Sequence, residues 1–436
     1  MTVTSRKAHS DVDVLVIGAG ITGCAAAHEL QARGIDYLLI EKNTQPGGLS
    51  RSISLGDAQF DYTGHFLHLQ RYDTPAAIPY ANLNDADWQR VDRRSGVYMD
   101  GQLMPAPFQY NLSHLPAPIR QRCLDGFRNR RIIDRPASFG EHLLASFGEG
   151  ICSSFLFPYN EKLMACELGR LTPESAGRFL PPPDPALIED GVRDAQSGEY
   201  NSRFWYPKRR GIGLLADGLA SGLPSLRLGC PITRIDPIAR QAQTPMGAIA
   251  YRRMLSSIPL KELCASMSDE RLRALGHGLS HNRVASINLL AKGRLPKELS
   301  NTHWVYLPER KYPFYRVGLH SNVAALVPDG FFSMCAEVAA MPGVDARMSD
   351  LVGDAVECLS GLGWLERGSV EAVAANWIDC AYVHFTHDRQ ARVAGISKTL
   401  AEYGVVPMGR YGTWDYTSME DCIRQGIDAA RMVAEG

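Results

Sequence analysis

Apolar residues along this chain first gather into two short runs on either side of a helix-like stretch. Residues 13–17 read DVLVI, residues 18–23 read GAGITG, CAAAHELQARG follows with apolar positions at helical spacing, and YLLIE ends at Glu41. That order predicts strand, tight turn, helix, strand. Farther on, Asp100-Gly101 separates two short runs within 97–104, which is a hairpin signal. From about 115 to 174 the spacing is helical and strand signals thin out. The proline-rich run 181–185 reads as a rigid linker. Strands are expected at 226–235, 283–290, 303–307, 314–319 and 331–338, and a helix over 345–362. A loop at 404–413 then leads into a helix over 418–434. There is no internal repeat and no low-complexity tract.

Length and composition narrow the function classes. The chain has 436 residues, enough for two or three domains. Its formal net charge is −1, which gives no bulk attraction to nucleic acid or to an anionic membrane. The arginine-rich segment 119–131 has acidic neighbours and reads as a solvated helix face. Ten cysteines are scattered without a CxxC pair, the pattern of buried thiols in a reducing compartment. His65 and His68 lie three apart without a carboxylate or cysteine partner at ligand spacing, so no metal is expected. The first ten residues are polar and no apolar run reaches the roughly 18 residues of a membrane span. A cytoplasmic protein is expected, with the oligomeric state left open.

The glycine spacing gains weight from its position. It follows a strand, opens a helix, and precedes an acidic strand end, Glu41, about twenty residues on. Gly18 would permit the tight turn, Gly20 would let backbone approach a pyrophosphate, and Gly23 would let helix and strand pack closely. The helix start offers unpaired N–H groups and a positive dipole end to phosphates. Glu41 can accept from ribose hydroxyls. The competing reading is a glycine turn in an unrelated α/β unit, and this unit alone does not choose between NAD and FAD.

The continuation does choose. Glu41-Lys42, followed by Gly47-Gly48-Leu49-Ser50-Arg51, resembles the flavoprotein pattern of amine oxidases, protoporphyrinogen oxidases and UDP-galactopyranose mutases. FAD is the cofactor this resemblance implies, with the glycine loop and the arginine on flavin phosphates and ring. The stretch 226–236, followed by Met254-Leu255-Ser256-Ser257-Ile258-Pro259, resembles the superfamily's adenine-side strands and puts Ile232 at the cofactor. The implied fold class is α/β, with a discontinuous Rossmann-like FAD-binding domain over 11–70, 210–262 and 396–436. A helical insertion over 111–209 and a β-rich substrate domain over 71–110 and 263–395 complete it.

Several patches resemble the mutase branch in particular. The stretch 60–68, with His65, looks like the loop that places a histidine beside the isoalloxazine, and the stretch 156–164, with Tyr159 and Met164, is similar to the motif whose tyrosine and tryptophan hold the substrate nucleotide. Segments around Arg178 and Arg316 resemble those carrying two diphosphate-binding arginines, and the loop 204–211 resembles the one that follows the first. Tyr200 is assigned to the substrate side. Gly409-Arg410 with Tyr416 and Met419 matches the C-terminal flavin segment, with arginine where amine oxidases usually carry an acidic residue. Tyr416 falls on the substrate-diphosphate tyrosine. Two departures stand out: Met164 replaces the mutase tryptophan, and Ser418 stands where the mutases have aspartate.

In the reaction this implies, reduced flavin is the nucleophile toward the anomeric carbon of a nucleoside-diphosphate sugar. The diphosphate departs, the sugar recloses as a five-membered ring, and the diphosphate re-attacks without net redox change. Arg178 and Arg316 would stabilise the departing diphosphate, because guanidinium binds phosphate bidentately and stays charged. Tyr159 and Tyr416 would donate to the same phosphates, and His65 would position the flavin. NAD(P)H is a candidate external reductant; no protein metal or protein nucleophile is needed. An FAD-dependent oxidoreductase of the amine oxidase or protoporphyrinogen oxidase type is the alternative, and a non-catalytic flavin-binding partner protein a third. Lys208-Arg209-Arg210 suits either a loop tip or the site mouth, and Tyr411, Trp414 and Tyr416 suit either packing or the site.

Overall fold

The computed structural model describes residues 11–190 and 202–435, and the side chains of Ala176, Arg178 and Phe179 lie outside that description, as does Tyr200. The N-terminal pattern folds as it reads: strand Asp11–Ile17, helix Ile21–Ala32, strand Tyr37–Ile40. These strands pair in parallel, and Asp11–Ile17 pairs in parallel on its other side with Gly247–Ser256. Val405–Pro407 adds to the far side of Gly247–Ser256, again in parallel. The chain thus leaves its first strand in one direction and returns in the other, which opens a crevice at the strands' carboxyl ends. Every residue of Tyr37–Ile40 is buried, as a parallel sheet covered on both faces requires. Helices Ile21–Ala32, Gly213–Ala220 and Met419–Glu435 cover one face. Leu260–Ser266, Glu270–His277 and Arg389–Glu402 cover the other.

The single strand expected over 226–235 is two short ones. Leu226–Arg227 forms one edge of the seven-stranded sheet, and Arg234–Asp236 lies at the other end. Between them Gly229 takes a positive φ of 64°, and Pro231 has no N–H to give a ladder. The broken stretch instead crosses the strand ends, where the Cys230 N–H donates to Glu41 O at 2.8 Å.

A second seven-stranded sheet runs in the order Val370–Ile378, Arg283–Lys292, Phe331–Ala340, Arg316–Gly318, Trp304–Tyr306, Ser95–Met99, Gln102–Pro105. Its last two strands are the anticipated hairpin, with Asp100 and Gly101 both at positive φ, 53° and 77°, as a tight two-residue turn demands. Strand Val370–Ile378 and helix Arg389–Glu402 are absent from the sequence-based expectations. The strand's VEAVAANWI is alanine-rich and partly exposed on both faces, so its alternation carries little contrast. Helix Met348–Gly361 packs on one face of this sheet; the other face turns toward the crevice.

The helical stretch resolves into Ala117–Arg128, Phe139–Ile151 and Phe157–Met164, the last two joined by a π turn at Cys152–Leu156. All ten cysteines are free thiols. No helix among the described residues is long and apolar enough to cross a membrane.

Candidate active site

At the first strand's carboxyl end, each glycine of the motif meets a different constraint. A Cβ on Gly23 would lie 1.9 Å from Gly18 O, so only glycine allows helix and turn to touch there. A Cβ on Gly20 would meet nothing within 4 Å; it would project into open space in front of the helix start. That is the room a pyrophosphate needs against helix N–H groups. Gly20 also forms a bridge to Gly47, and the Gly47 N–H donates to Ala19 O at 2.7 Å. Glu41 is buried; Oε2 accepts from the Ala19 N–H at 2.9 Å, and Oε1 from the Asn43 N–H at 2.9 Å and from Asn43 Nδ2 at 2.6 Å. The carboxylate therefore holds the turn as well as facing the crevice. Lys42 sits at the rim, 3.5 Å from Glu262.

The C-terminal segment closes the same place. Helix Met419–Glu435 packs along Ile21–Ala32, with Gly426 against Thr22 O. Gly409 also lies against Thr22, too close for a side chain. Met419 Sδ accepts from Ser50 Oγ at 3.5 Å, which ties the helix start to the Gly48-Leu49-Ser50 turn. The Arg51 guanidinium lies 3.8 Å over the Tyr62 ring. Arg410 donates from Nη1 to Thr417 O at 3.2 Å and lies 4.8 Å from the Tyr416 ring centre. Among the described residues, no carboxylate pairs with Arg410.

The second sheet contributes one cross-strand row. In register, Asn376, Ser286, Glu337, Arg316, Tyr306 and Val97 follow one another across six strands. Arg316 donates from Nε to Glu337 Oε2 at 3.1 Å and from Nη2 to both carboxylate oxygens at 2.7 Å. Tyr315 Oη donates to Glu337 Oε2 at 2.5 Å. Burial opposes ionisation of Glu337, but Arg316 and the Tyr315 hydroxyl outweigh it and hold the carboxyl below its usual range. His65 lies beside this pair, with Nδ1 hydrogen-bonded to Thr63 Oγ1. Burial, helped by the positive charges of Arg410 and Arg316 and opposed by Glu337, pushes the His65 pKa down to about 4. It is a neutral imidazole at neutral pH.

The insertion supplies an aromatic wall. Phe108, Phe155 and Tyr159 form a continuous stack, with ring centres 4.9 and 5.3 Å apart and planes 11° and 6° from parallel. Met164 is buried at the end of the same helix, and its carbonyl is 2.9 Å from His384 Nε2. Together these parts surround one continuous cavity of about 770 Å³, walled from both sheets and the insertion. Gly18, Gly20, Glu41, Lys42, Ile232 and Arg410 border it, as do Gly48 to Arg51, His65, Tyr159, Met164, Arg316, Tyr416 and Met419. Gly23 and Gly409 support it from behind. Arg178 and Tyr200 fall outside the described side chains, so the pairing of Arg178 with Arg316 has no structural counterpart in the description.

Two of these side chains have protein partners that the sequence did not foresee. Arg316 does not present an uncompensated guanidinium; its Nε and Nη2 serve Glu337, and Nη1 is the edge left for a ligand. Tyr416 gives its one hydroxyl proton to Val383 O at 2.6 Å while its ring stacks on Phe385 at 4.9 Å. Donation to a phosphate would require that bond to break. Sequence reading also missed Glu337 itself. The available signal was one charge inside a ten-residue, otherwise uncharged strand, FFSMCAEVAA, since a buried carboxylate is rare unless paired.

A turn shaped for a dinucleotide, an acidic strand end and a returning C-terminal helix fit FAD, and the fold and site define a flavin-dependent enzyme. Residues 16–78 match the model of the NAD(P)-binding Rossmann-like domain. Within that class, the chain is similar over nearly its whole length to a reduced UDP-galactopyranose mutase, with 27% identity and a TM-score of 0.89 over 97% of this chain and 95% of that one. Two further structures share the fold. One, from an Exiguobacterium species and assigned as a protoporphyrinogen oxidase, has 16% identity and a TM-score of 0.74 over 97% and 99%. The other, cyclohexylamine oxidase from Brevibacterium oxydans, has 14% identity and a TM-score of 0.67 over 98% and 99%.

Proposed function

We propose that the protein is a nucleotide-sugar mutase of the cytoplasm, interconverting pyranose and furanose rings of a nucleoside-diphosphate sugar. The observation that carries this reading is Arg410, a partly buried cation with no carboxylate partner among the described residues, beside a cavity that also receives the open edge of Arg316. Such a site favours an anion, because a cation shielded from water gains most from a charged ligand. When bound, reduced FAD would supply the nucleophile, and NAD(P)H is the proposed source of its electrons.

The chain's own residues would bind and orient. Arg410 and the Nη1 edge of Arg316 would meet the diphosphate as charge builds on it. Glu337 fixes the guanidinium plane of Arg316. Neutral His65, anchored by Thr63, would add no charge beside the ring system. Tyr159, the partly exposed end of the Phe108–Phe155–Tyr159 stack, would meet a base, and with methionine at 164 the wall there lacks an indole. Ser418 would leave the sugar end without the mutases' carboxylate; Ser418 Oγ instead donates to Asp421 Oδ2 at 2.8 Å.

The test is anaerobic: protein reduced with dithionite is offered UDP-, dTDP- and GDP-sugars, and furanose products are sought by chromatography. Isomerised sugar from reduced protein alone supports the reading. A second reading, an oxidoreductase of the amine oxidase or protoporphyrinogen oxidase type, draws on the charge compensation of Arg316 by Glu337 and on the apolar wall. It requires substrate-driven bleaching of the oxidised flavin, and bleaching without any furanose product would displace the mutase reading.

A further inference from the structure

Another cation of this half of the molecule does not border the large cavity; it lies at a shallow surface pocket with Pro158, Glu161, Arg310, Tyr312 and Pro313. Lys162 lies on helix Phe157–Met164, and its Nζ donates to Leu307 O at 2.7 Å, Phe314 O at 2.7 Å and Glu309 O at 3.2 Å. An ammonium has three donors, so this cage of carbonyls occupies all of them. The three acceptors belong to the loop between strands Trp304–Tyr306 and Arg316–Gly318. Phe314 is two residues before Arg316, so one residue separates the cage from the arginine.

The same helix is pinned at neighbouring points. One turn before Lys162, the Tyr159 ring meets Tyr306 and Tyr315 edge-on at 5.3 and 6.4 Å. One residue after it, Leu163 O accepts from Asn282 Nδ2 at 2.6 Å. A solvent-side pair, Arg310 Nη2 to Glu161 Oε2 at 2.7 Å, bridges the same two elements, but Arg310 is 80% exposed there. Exposed pairs hold geometry weakly, whereas a point charge among three fixed carbonyls has one position, and a planar guanidinium cannot reproduce it.

We propose that Lys162 is a positioning residue for the ligand site: its carbonyl cage sets the gap between the Tyr159 ring and the Arg316 guanidinium. The proposal rests on the nucleotide-sugar reading for the identity of the ligand that spans this gap. It does not rest on that reading for the mechanical coupling of the two elements.

Lys162→Met, Lys162→Gln and, as a rim control, Glu161→Gln would be compared with the unaltered protein. FAD content, hydrogen–deuterium exchange over 157–164 and 307–315, and UDP binding followed by flavin absorbance are the readouts. K162M is expected to keep its FAD, whose cradle lies on the other sheet, and to exchange faster in both segments together. Its UDP dissociation constant should rise about tenfold or more, the scale of a small misplacement of binding groups. K162Q should fall between, and E161Q should match the parent. UDP binding by K162M as tight as the parent's, or unchanged exchange, would overturn the proposal, as would loss of FAD from K162M and K162Q alike, which would mark a general scaffold residue. If the unaltered protein binds no UDP, the nucleotide reading falls on its own; accelerated exchange in both segments would still support the cage, and unaltered exchange would still sink it.

Discussion

Arg316 and Glu337 stand directly opposite each other on adjacent antiparallel strands, and the arginine's Nε and Nη2 are both committed to that carboxylate. The pair enters the cavity wall with its charges largely cancelled and one edge of the guanidinium unspent. Replacing Glu337 by glutamine would keep the shape and remove the negative charge. Stability should fall by about 3 kcal/mol, as for other buried pairs broken on one side, while pyrophosphate and UDP bind more tightly to the uncompensated arginine. Thermal unfolding and ligand titration of E337Q would be read together; weaker anion binding would contradict this account of Arg316.

Among the described residues Arg410 has no such partner, so its removal should act on the ligand and on His65 at once. Arg410→Met is expected to retain FAD yet weaken UDP binding by about 10- to 100-fold, the worth of a charge-assisted contact. Because Arg410 is among the charges that hold the His65 pKa down, that pKa should rise in the variant. NMR titration of the imidazole checks it, and an unmoved His65 would place Arg410 farther from the ring than the structure does.

Three histidines with lowered pKa values, His303 and His384 buried and His65 partly so, make acid stability predictable. Burial, first in every case, lowers His65, His303 and His384 to about 4 from an ordinary value of 6.5. Between those limits the unfolded chain binds more protons than the folded one, so stability rises with pH across the window. The contribution is fully present above 6.5 and is lost as pH falls toward 4. Urea unfolding should therefore be flat above about pH 7 and weaken steeply below 6. A stability maximum near pH 5 would be incompatible with neutral imidazoles.

The glycine motif offers a paired comparison. Gly23→Ala would drive a methyl group into Gly18 O and should destabilise the protein by about 1–3 kcal/mol even before cofactor is added. Gly20→Ala meets no protein atom, so the apoprotein should melt normally while FAD affinity drops about tenfold or more. Melting curves of both apoproteins and flavin retention on dialysis separate the two outcomes.

What the sequence disclosed was local. The βαβ unit at 11–40, the Asp100-Gly101 hairpin and the closing helix each depend on contacts within a few residues, and all were readable. The stretch 226–235 misled because its apolar content resembles one strand, while Gly229 and Pro231 between its halves forbid a continuous ladder. Strand Val370–Ile378 went unread because alanine on both faces blurs the alternation. At the site, the motif residues around the nucleotide were legible, but the tie of Arg316 to Glu337 depends on strand register between residues 21 positions apart. The donation of Tyr416 to Val383 likewise joins residues 33 apart. No spacing rule reaches that far.

The helix Met419–Glu435 completes a crevice begun by Asp11–Ile17, and this has a consequence during synthesis. A nascent chain halted on the ribosome before residue 405 would expose an unfinished crevice and should hold no yellow chromophore, however much of its second sheet had formed. FAD could then act only as a late seal on the folded molecule. Flavin fluorescence from stalled complexes of increasing length, rising only once residues 405–435 had emerged, would reveal that order of events.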